Sequence, residues 1–169
     1  GGLAAGTSHS FSMTITSDND GGVTQTQTFS ATVNQCYGVT LVADKIADNA
    51  DPGNSVDYSL TVTNTGNGED TVTMYLMTAP EGWLPTLAQT ELTIASGTSA
   101  QTIFTMTVPS DASHTAESGG AMIHAYSEGC GEDTMGCEYG PSVTVMLGSN
   151  QVYDITASYY TNETDVVKN

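Results

Sequence analysis

Two runs of hard oxygen ligands are the residues of this chain best suited to chemistry. Asp18, Asn19 and Asp20 stand beside Gly21 and Gly22, and Asp44, Asp48, Asn49 and Asp51 form a second run. Carboxylates and side-chain amides on flexible loops suit calcium. Neither run carries the closing glutamate of an EF-hand, so each reads first as a solvated turn, with a calcium loop as the alternative. The metal candidates are therefore Asp18, Asn19, Asp20, Asp48 and Asp51, and calcium is the one cofactor they imply. Hydrolysis needs a nucleophile with a base, or two carboxylates placed about a bond. Glu69 and Asp70 are adjacent acids, but they sit in a turn signature. His9, His114 and His124 are scattered, and Ser118-Gly119-Gly120 lacks the nucleophile-elbow pattern. Trp83 reads first as a packing residue and only second as a sugar platform. Tyr75, Tyr126, Tyr159 and Tyr160 are the other aromatics that would face a glycan. No constellation supports an enzyme.

Three cysteines carry the remaining reactive chemistry. Cys130 and Cys137 bracket a glycine-rich loop. A disulfide between them closes a loop of about 8 residues and stabilises by roughly 2.5 kcal/mol on the chain-entropy estimate. That pairing implies an oxidising, extracellular setting. Cys36 is left over, either free and buried or paired outside this chain. Two cysteines at this spacing offer too few ligands for zinc, and the haem pattern Cys-x-x-Cys-His is absent. Asn162-Glu163-Thr164 is an N-glycosylation sequon at Asn162, which fits a cell-surface protein.

Charge excludes several partner classes. The net charge is −17, with 19 acids against Lys45 and Lys168 and no arginine. Nucleic acid requires a cationic surface to displace counterions, and so do anionic membranes. An acidic chain stays soluble by self-repulsion, and salt screens that repulsion. No apolar stretch is long enough to span a bilayer as a helix. The first residue is Gly and no signal peptide is visible, so the chain reads as a processed form, an expressed piece or an excerpt.

The elements that position these residues have period two. Val56, Tyr58, Leu60 and Val62 alternate with Asp57, Ser59, Thr61 and Thr63, the pattern of a half-buried antiparallel strand. The same alternation marks Val72, Met74 and Leu76; Phe104, Met106 and Val108; Ala121, Ile123 and Ala125; and Val143, Val145 and Leu147. Threonine and valine suit a pleated surface. Turn residues such as Asn64-Thr65-Gly66-Asn67-Gly68 separate the runs. Strands are expected near 10–17, 23–34, 37–43, 55–63, 70–78, 89–94, 100–108, 119–127, 140–148 and 151–160. The stretch 84–92 is the one segment with a helical suspicion, and Pro85 interrupts it.

The chain also repeats itself. Asn34-Gln35-Cys36-Tyr37 and Asn150-Gln151-Val152-Tyr153 share Asn, Gln and Tyr at an offset of 116 positions. Phe29 and Ala31 fall opposite Val145 and Leu147 at the same offset. A single long period of this kind marks a tandem array whose unit is the size of a small β-sandwich. Residues 1–35 are expected to be the last strands of a preceding module, or strands completed by a partner. Residues 36–150 are expected to be one complete sandwich, and 151–169 the first strand of a following module or a donor strand. Two strands alone are marginal in water. Phe11, Met13, Ile15, Phe29 and Ala31 are therefore expected to face a core completed from elsewhere.

Residues 51–112 carry a resemblance. Asp51-Pro52-Gly53-Asn54, Val62-Thr63-Asn64-Thr65-Gly66-Asn67-Gly68-Glu69-Asp70-Thr71, Pro80-Glu81-Gly82-Trp83, Leu92-Thr93-Ile94-Ala95-Ser96-Gly97 and Val108-Pro109-Ser110 follow in that order. In this they resemble the immunoglobulin-like modules called NEW3 and the related CARDB domains of large archaeal or bacterial secreted and cell-surface proteins. The resemblance implies an all-β, immunoglobulin-like antiparallel sandwich. It implies no catalytic residues. Such modules stand in surface-layer-like proteins and beside the catalytic domains of glycosidases.

The expected role is structural: an extracellular, acidic repeat protein of a surface layer, sheath, filament or adhesin. Its partners would be copies of itself or adjacent immunoglobulin-like modules, with a glycan as a further partner. Sandwich stacking and open edge strands would join neighbours. The alternative is an accessory carbohydrate- or protein-binding module of a secreted glycosidase or protease.

Overall fold

The computed structural model describes residues 2–111, 115–130, 140–153 and 157. Its described residues form eleven strands and no helix. These are β1 (Ser8–Thr16), β2 (Thr24–Thr32), β3 (Val39–Ala43), β4 (Ala47–Ala50), β5 (Ser55–Asn64), β6 (Asp70–Thr78), β7 (Thr86–Leu87), β8 (Glu91–Ile94), β9 (Ser99–Thr107), β10 (Ser118–Ser127) and β11 (Ser142–Ser149). Two sheets pack face to face, in the orders β4-β11-β10-β6-β8 and β3-β5-β9-β7. β1 and β2 form a separate two-stranded sheet. The molecule is thus an all-β, immunoglobulin-like sandwich with a hairpin attached.

Alternation places the core. Tyr58, Leu60 and Val62 of β5 and Phe104 and Met106 of β9 point inward from one sheet. Val72 and Met74 of β6, Ala121, Ile123 and Ala125 of β10, and Val145 and Leu147 of β11 meet them from the other. Every residue of this cluster lies between Leu41 and Leu147. The sandwich therefore needs no residue of the first 38 to close its core. Trp83 is 2% exposed and belongs to the same cluster, as the packing reading expects. Its ring lies over Gly119, where a Cβ would sit 2.8 Å from the indole. Glycine at 119 is what lets the tryptophan enter.

All the expected strands from 10 to 148 form, each within two residues of its expected ends. Two strands carry no apolar alternation and were not expected. β4 is polar and held by backbone: it pairs in parallel with β11, and Met146 N donates to Ile46 O while Asn150 N donates to Ala50 O. It is the one parallel pair in an otherwise antiparallel ladder among the described strands. β7 has two residues and completes the edge beside β9. The suspected helix over 84–92 is absent: Leu84 sits at φ 40°, Pro85 follows, and the segment runs into β7 and β8. Residues 151–153 form no strand, and most of the expected final strand lies outside the described residues.

Candidate module joint

The β1–β2 hairpin presents its side chains to solvent on both faces. Every residue of both strands is exposed. On one face Phe11 pairs with Phe29, Met13 with Gln27 and Ile15 with Gln25. The two phenyl rings stack at 5.5 Å, and Phe11 is still 59% exposed. Fully burying a phenylalanine or isoleucine stabilises by roughly 1.5–3 kcal/mol. That gain is available to a partner.

The hairpin is not loosely tethered. Its exit, residues 33–38, runs across the turn between β5 and β6. This turn crosses from one sheet to the other, and two asparagines build it. Asn64, fully buried, shapes the turn from inside: its Nδ2 donates to Gly68 O and Ile94 O, both at 2.8 Å, and its Oδ1 accepts from Gly66 N. Asn67 faces outward and gathers two segments of chain, residues 3–5 and 34–36. Its Oδ1 accepts from Cys36 N at 2.7 Å, and its Nδ2 donates to Asn34 O and Leu3 O at 3.1 and 3.2 Å. Its backbone N donates to Cys36 O, and its backbone O accepts from Ala5 N. Gln35 Nε2 adds a bond to Glu69 O at 2.7 Å. Backbone groups paired this way lose their freedom to swing.

Glycine makes the close approach possible. A Cβ at Gly66 would collide with the Cys36 carbonyl oxygen, and one at Gly68 would come within 2.8 Å of the Gln35 side chain. Farther along, the Tyr37 ring lies so close over Gly129 that a Cβ there would overlap it. An open cleft of ≈ 550 Å³ remains beside the joint, lined by Leu3, Val33, Cys36, Tyr37, Thr65 and Asn67 among others. Cys36 is free and exposed there, which overturns the alternative of a buried thiol.

Of the candidate metal ligands, Asp20, Asp48 and Asp51 each accept a hydrogen bond within the chain. Asp18, Asn19 and Asp20 lie at the hairpin tip, where Asp20 Oδ1 accepts from Gly22 N at 3.0 Å. Asp48 accepts from Lys45 Nζ at 2.6 Å and from Asn49 N, and those bonds hold its carboxyl below the usual range. Asp44 Oδ1 accepts from Ser59 N, and Asp51 Oδ1 accepts from Asn150 Nδ2 at 2.8 Å. Among the described residues, no group of three or more His, Cys, Asp or Glu is placed to hold a metal ion. Calcium at either run stands as a proposal that a calcium titration of the melting temperature decides. Lys45 also lies 5.3 Å from the Tyr58 ring centroid. Tyr58 donates to Met146 O at 2.8 Å, and burial, then Asp48 and Asp44, push its phenol up to about 12.

The remaining candidates separate. Glu69 and Asp70 diverge: Asp70 is 5% exposed and turns inward at the start of β6. His124 faces outward from β10, its ring 5.5 Å from Tyr75. Cys130 is buried and engaged, whereas Cys137, His114 and Asn162 lie outside the described residues. The Cys130–Cys137 pairing therefore stays a proposal. Sequence reasoning missed Asn67. The signal was present in two halves: a recurring Asn-Gln-x-Tyr, and an Asn-x-Gly-Asn-Gly turn that receives it.

Residues 50–117 match the family model of the NPCBM-associated, NEW3 domain of alpha-galactosidase. Over these residues the chain is similar to a NEW3 module. NEW3 is an accessory, non-catalytic family, and the turn that carries Asn64 and Asn67 lies within the match. No curated protein matches the chain. Solved structures with similar folds include the ASH/PapD-like domain 7 of human CEP192, at 8% identity and TM-score 0.45, covering 68% of this chain and 87% of that one. A family 123 glycoside hydrolase from Clostridium perfringens aligns at 8% identity and TM-score 0.49 over 69% of this chain and 27% of its own. Alpha-2-macroglobulin from Escherichia coli aligns at 14% identity and TM-score 0.46 over 68% of this chain and 17% of its own.

Proposed function

We propose that this chain is a non-catalytic spacer and joining unit of an extracellular protein built from immunoglobulin-like modules. The NEW3 sandwich sets the distance, the docked segment 33–38 sets the direction, and neighbouring immunoglobulin-like strands complete the apolar face of the hairpin. One observation carries this reading. Phe11, Met13, Ile15 and Phe29 lie exposed on a hairpin that Asn67 nevertheless clamps to the sandwich. A flexible tail has no use for such a clamp, and an independent domain would bury such a face. Sedimentation of the full chain across a wide concentration range tests it, with Phe11→Ser/Phe29→Ser as the comparison. The expected result is self-association, or binding of an apolar dye, that the double variant abolishes. A wild-type chain that stays monomeric and binds no dye contradicts the proposal.

A second reading is an accessory module serving a secreted glycosidase. The NEW3 description supports it, and Tyr75, 43% exposed beside His124, is the aromatic surface it would use. A glycan array without hits removes it.

A further inference from the structure

The two Asn-Gln-x-Tyr segments end hairpins that are the same object. In β1–β2, Phe11 faces Phe29; in β10–β11, Ala121 faces Val145. Adding 110 to the first strand and 116 to the second maps one register onto the other, from Ser8↔Thr32 to Ser118↔Gly148. The difference of six residues falls in the hairpin loop. The turn that opens each hairpin also matches. Gly6 at φ 76° corresponds to Ala116 at φ 62°. The bond that closes each hairpin matches as well: Val33 N donates to Thr7 O at 2.9 Å, and Ser149 N donates to Glu117 O at 2.7 Å. Asn34-Gln35-Cys36-Tyr37 and Asn150-Gln151-Val152-Tyr153 thus leave equivalent hairpins at equivalent points.

Their surroundings differ. Gln35 and Tyr37 are half-buried against the β5–β6 turn and Gly129. Gln151 is exposed, Val152 is 57% exposed and Tyr153 is 74% exposed. The receiving surface that covers the first segment has no counterpart over the second among the described residues.

We infer that Asn150, Gln151 and Val152 are the exit half of a second joint, whose receiving half is an Asn-x-Gly-Asn-Gly turn of a NEW3-type module following in tandem. The recognition chemistry is read from the first joint. The second asparagine of that turn accepts from the Val152 amide, as Asn67 accepts from Cys36, and donates to the Asn150 carbonyl, as Asn67 donates to that of Asn34. The Gln151 amide reaches the backbone carbonyl that Gln35 finds at Glu69. Glycines in the turn are required, because side chains at positions 66 and 68 would strike the incoming strand. The residue at position 36 contributes only its backbone N and O to these bonds, which is why valine can stand at 152. This inference deepens the joining role proposed above and rests on it.

The test is a tandem chain in which Tyr153 of a first copy, residues 1–153, runs directly into Gly38 of a second. The second sandwich is self-sufficient from there, since its core begins at Leu41. Amide exchange at Val152 is compared with that in the 169-residue chain. At least tenfold slower exchange is expected, lost when Asn67→Ala is placed in the second copy alone and partly lost with Gln151→Ala. Gln151 is exposed, so that variant carries no folding risk of its own. Equal Val152 exchange in the tandem and the single chain overturns the inference, as does protection indifferent to both variants. Either outcome leaves the self-association of the hairpin face untouched, so failure here is separable from failure of the joining role itself.

Discussion

Two asparagines three positions apart do different work, and substitution separates them. Asn64 is fully buried and makes three side-chain hydrogen bonds. Asn64→Ala leaves two carbonyls and one amide without those partners, and a loss of about 3 kcal/mol is expected at about one per orphaned group, the low end for groups of which two are only part-buried. Denaturant unfolding of the full chain measures it. Asn67→Ala is expected to cost the sandwich less than about 1 kcal/mol, because its bonds run to the hairpin and its exit. Tyr58 gives a pH signature. Its folded pKa lies near 12 against 10 in the unfolded chain, so the folded state holds the proton more tightly. That contribution is intact below pH 10 and is lost as pH rises from 10 to about 12. Tyr58→Phe is expected to cost about 1 kcal/mol at neutral pH through the lost bond to Met146 O and to flatten the alkaline decline. Thermal melts at several pH values decide this.

At the level of elements, the sequence was legible where side chains decide the structure. β5, β6, β9 and β10 bury every second residue, so alternation located them and their inward faces. β4 and β7 were not legible, because backbone hydrogen bonds to β11 and β9 hold them and their side chains carry no pattern. The joint was half legible. The recurring Asn-Gln-x-Tyr could be seen, but a contact between residues 36 and 67 leaves no periodic trace. Gly119 shows what a single residue fixes between elements. Its missing side chain admits Trp83 from the loop after β6 onto β10. Gly119→Ala is expected to destabilise by about 1–3 kcal/mol through overpacking. It should also shift the emission of the chain's one tryptophan to the red as the indole is pushed toward water.

Over the whole molecule, the arrangement is a closed sandwich carrying an open hairpin in a defined orientation. The sandwich closes its core without the hairpin, so the clamp at Asn67 serves the hairpin's position rather than the fold. The acidic excess fits this: a chain with 19 acids and two lysines resists unspecific association. The most direct test of the account is backbone ¹⁵N relaxation across the full chain, with and without Asn67→Ala. β1 and β2 are expected to tumble with the same correlation time as the sandwich, and the substitution is expected to free them while the sandwich is unchanged. A hairpin that already tumbles independently in the wild-type chain would contradict it.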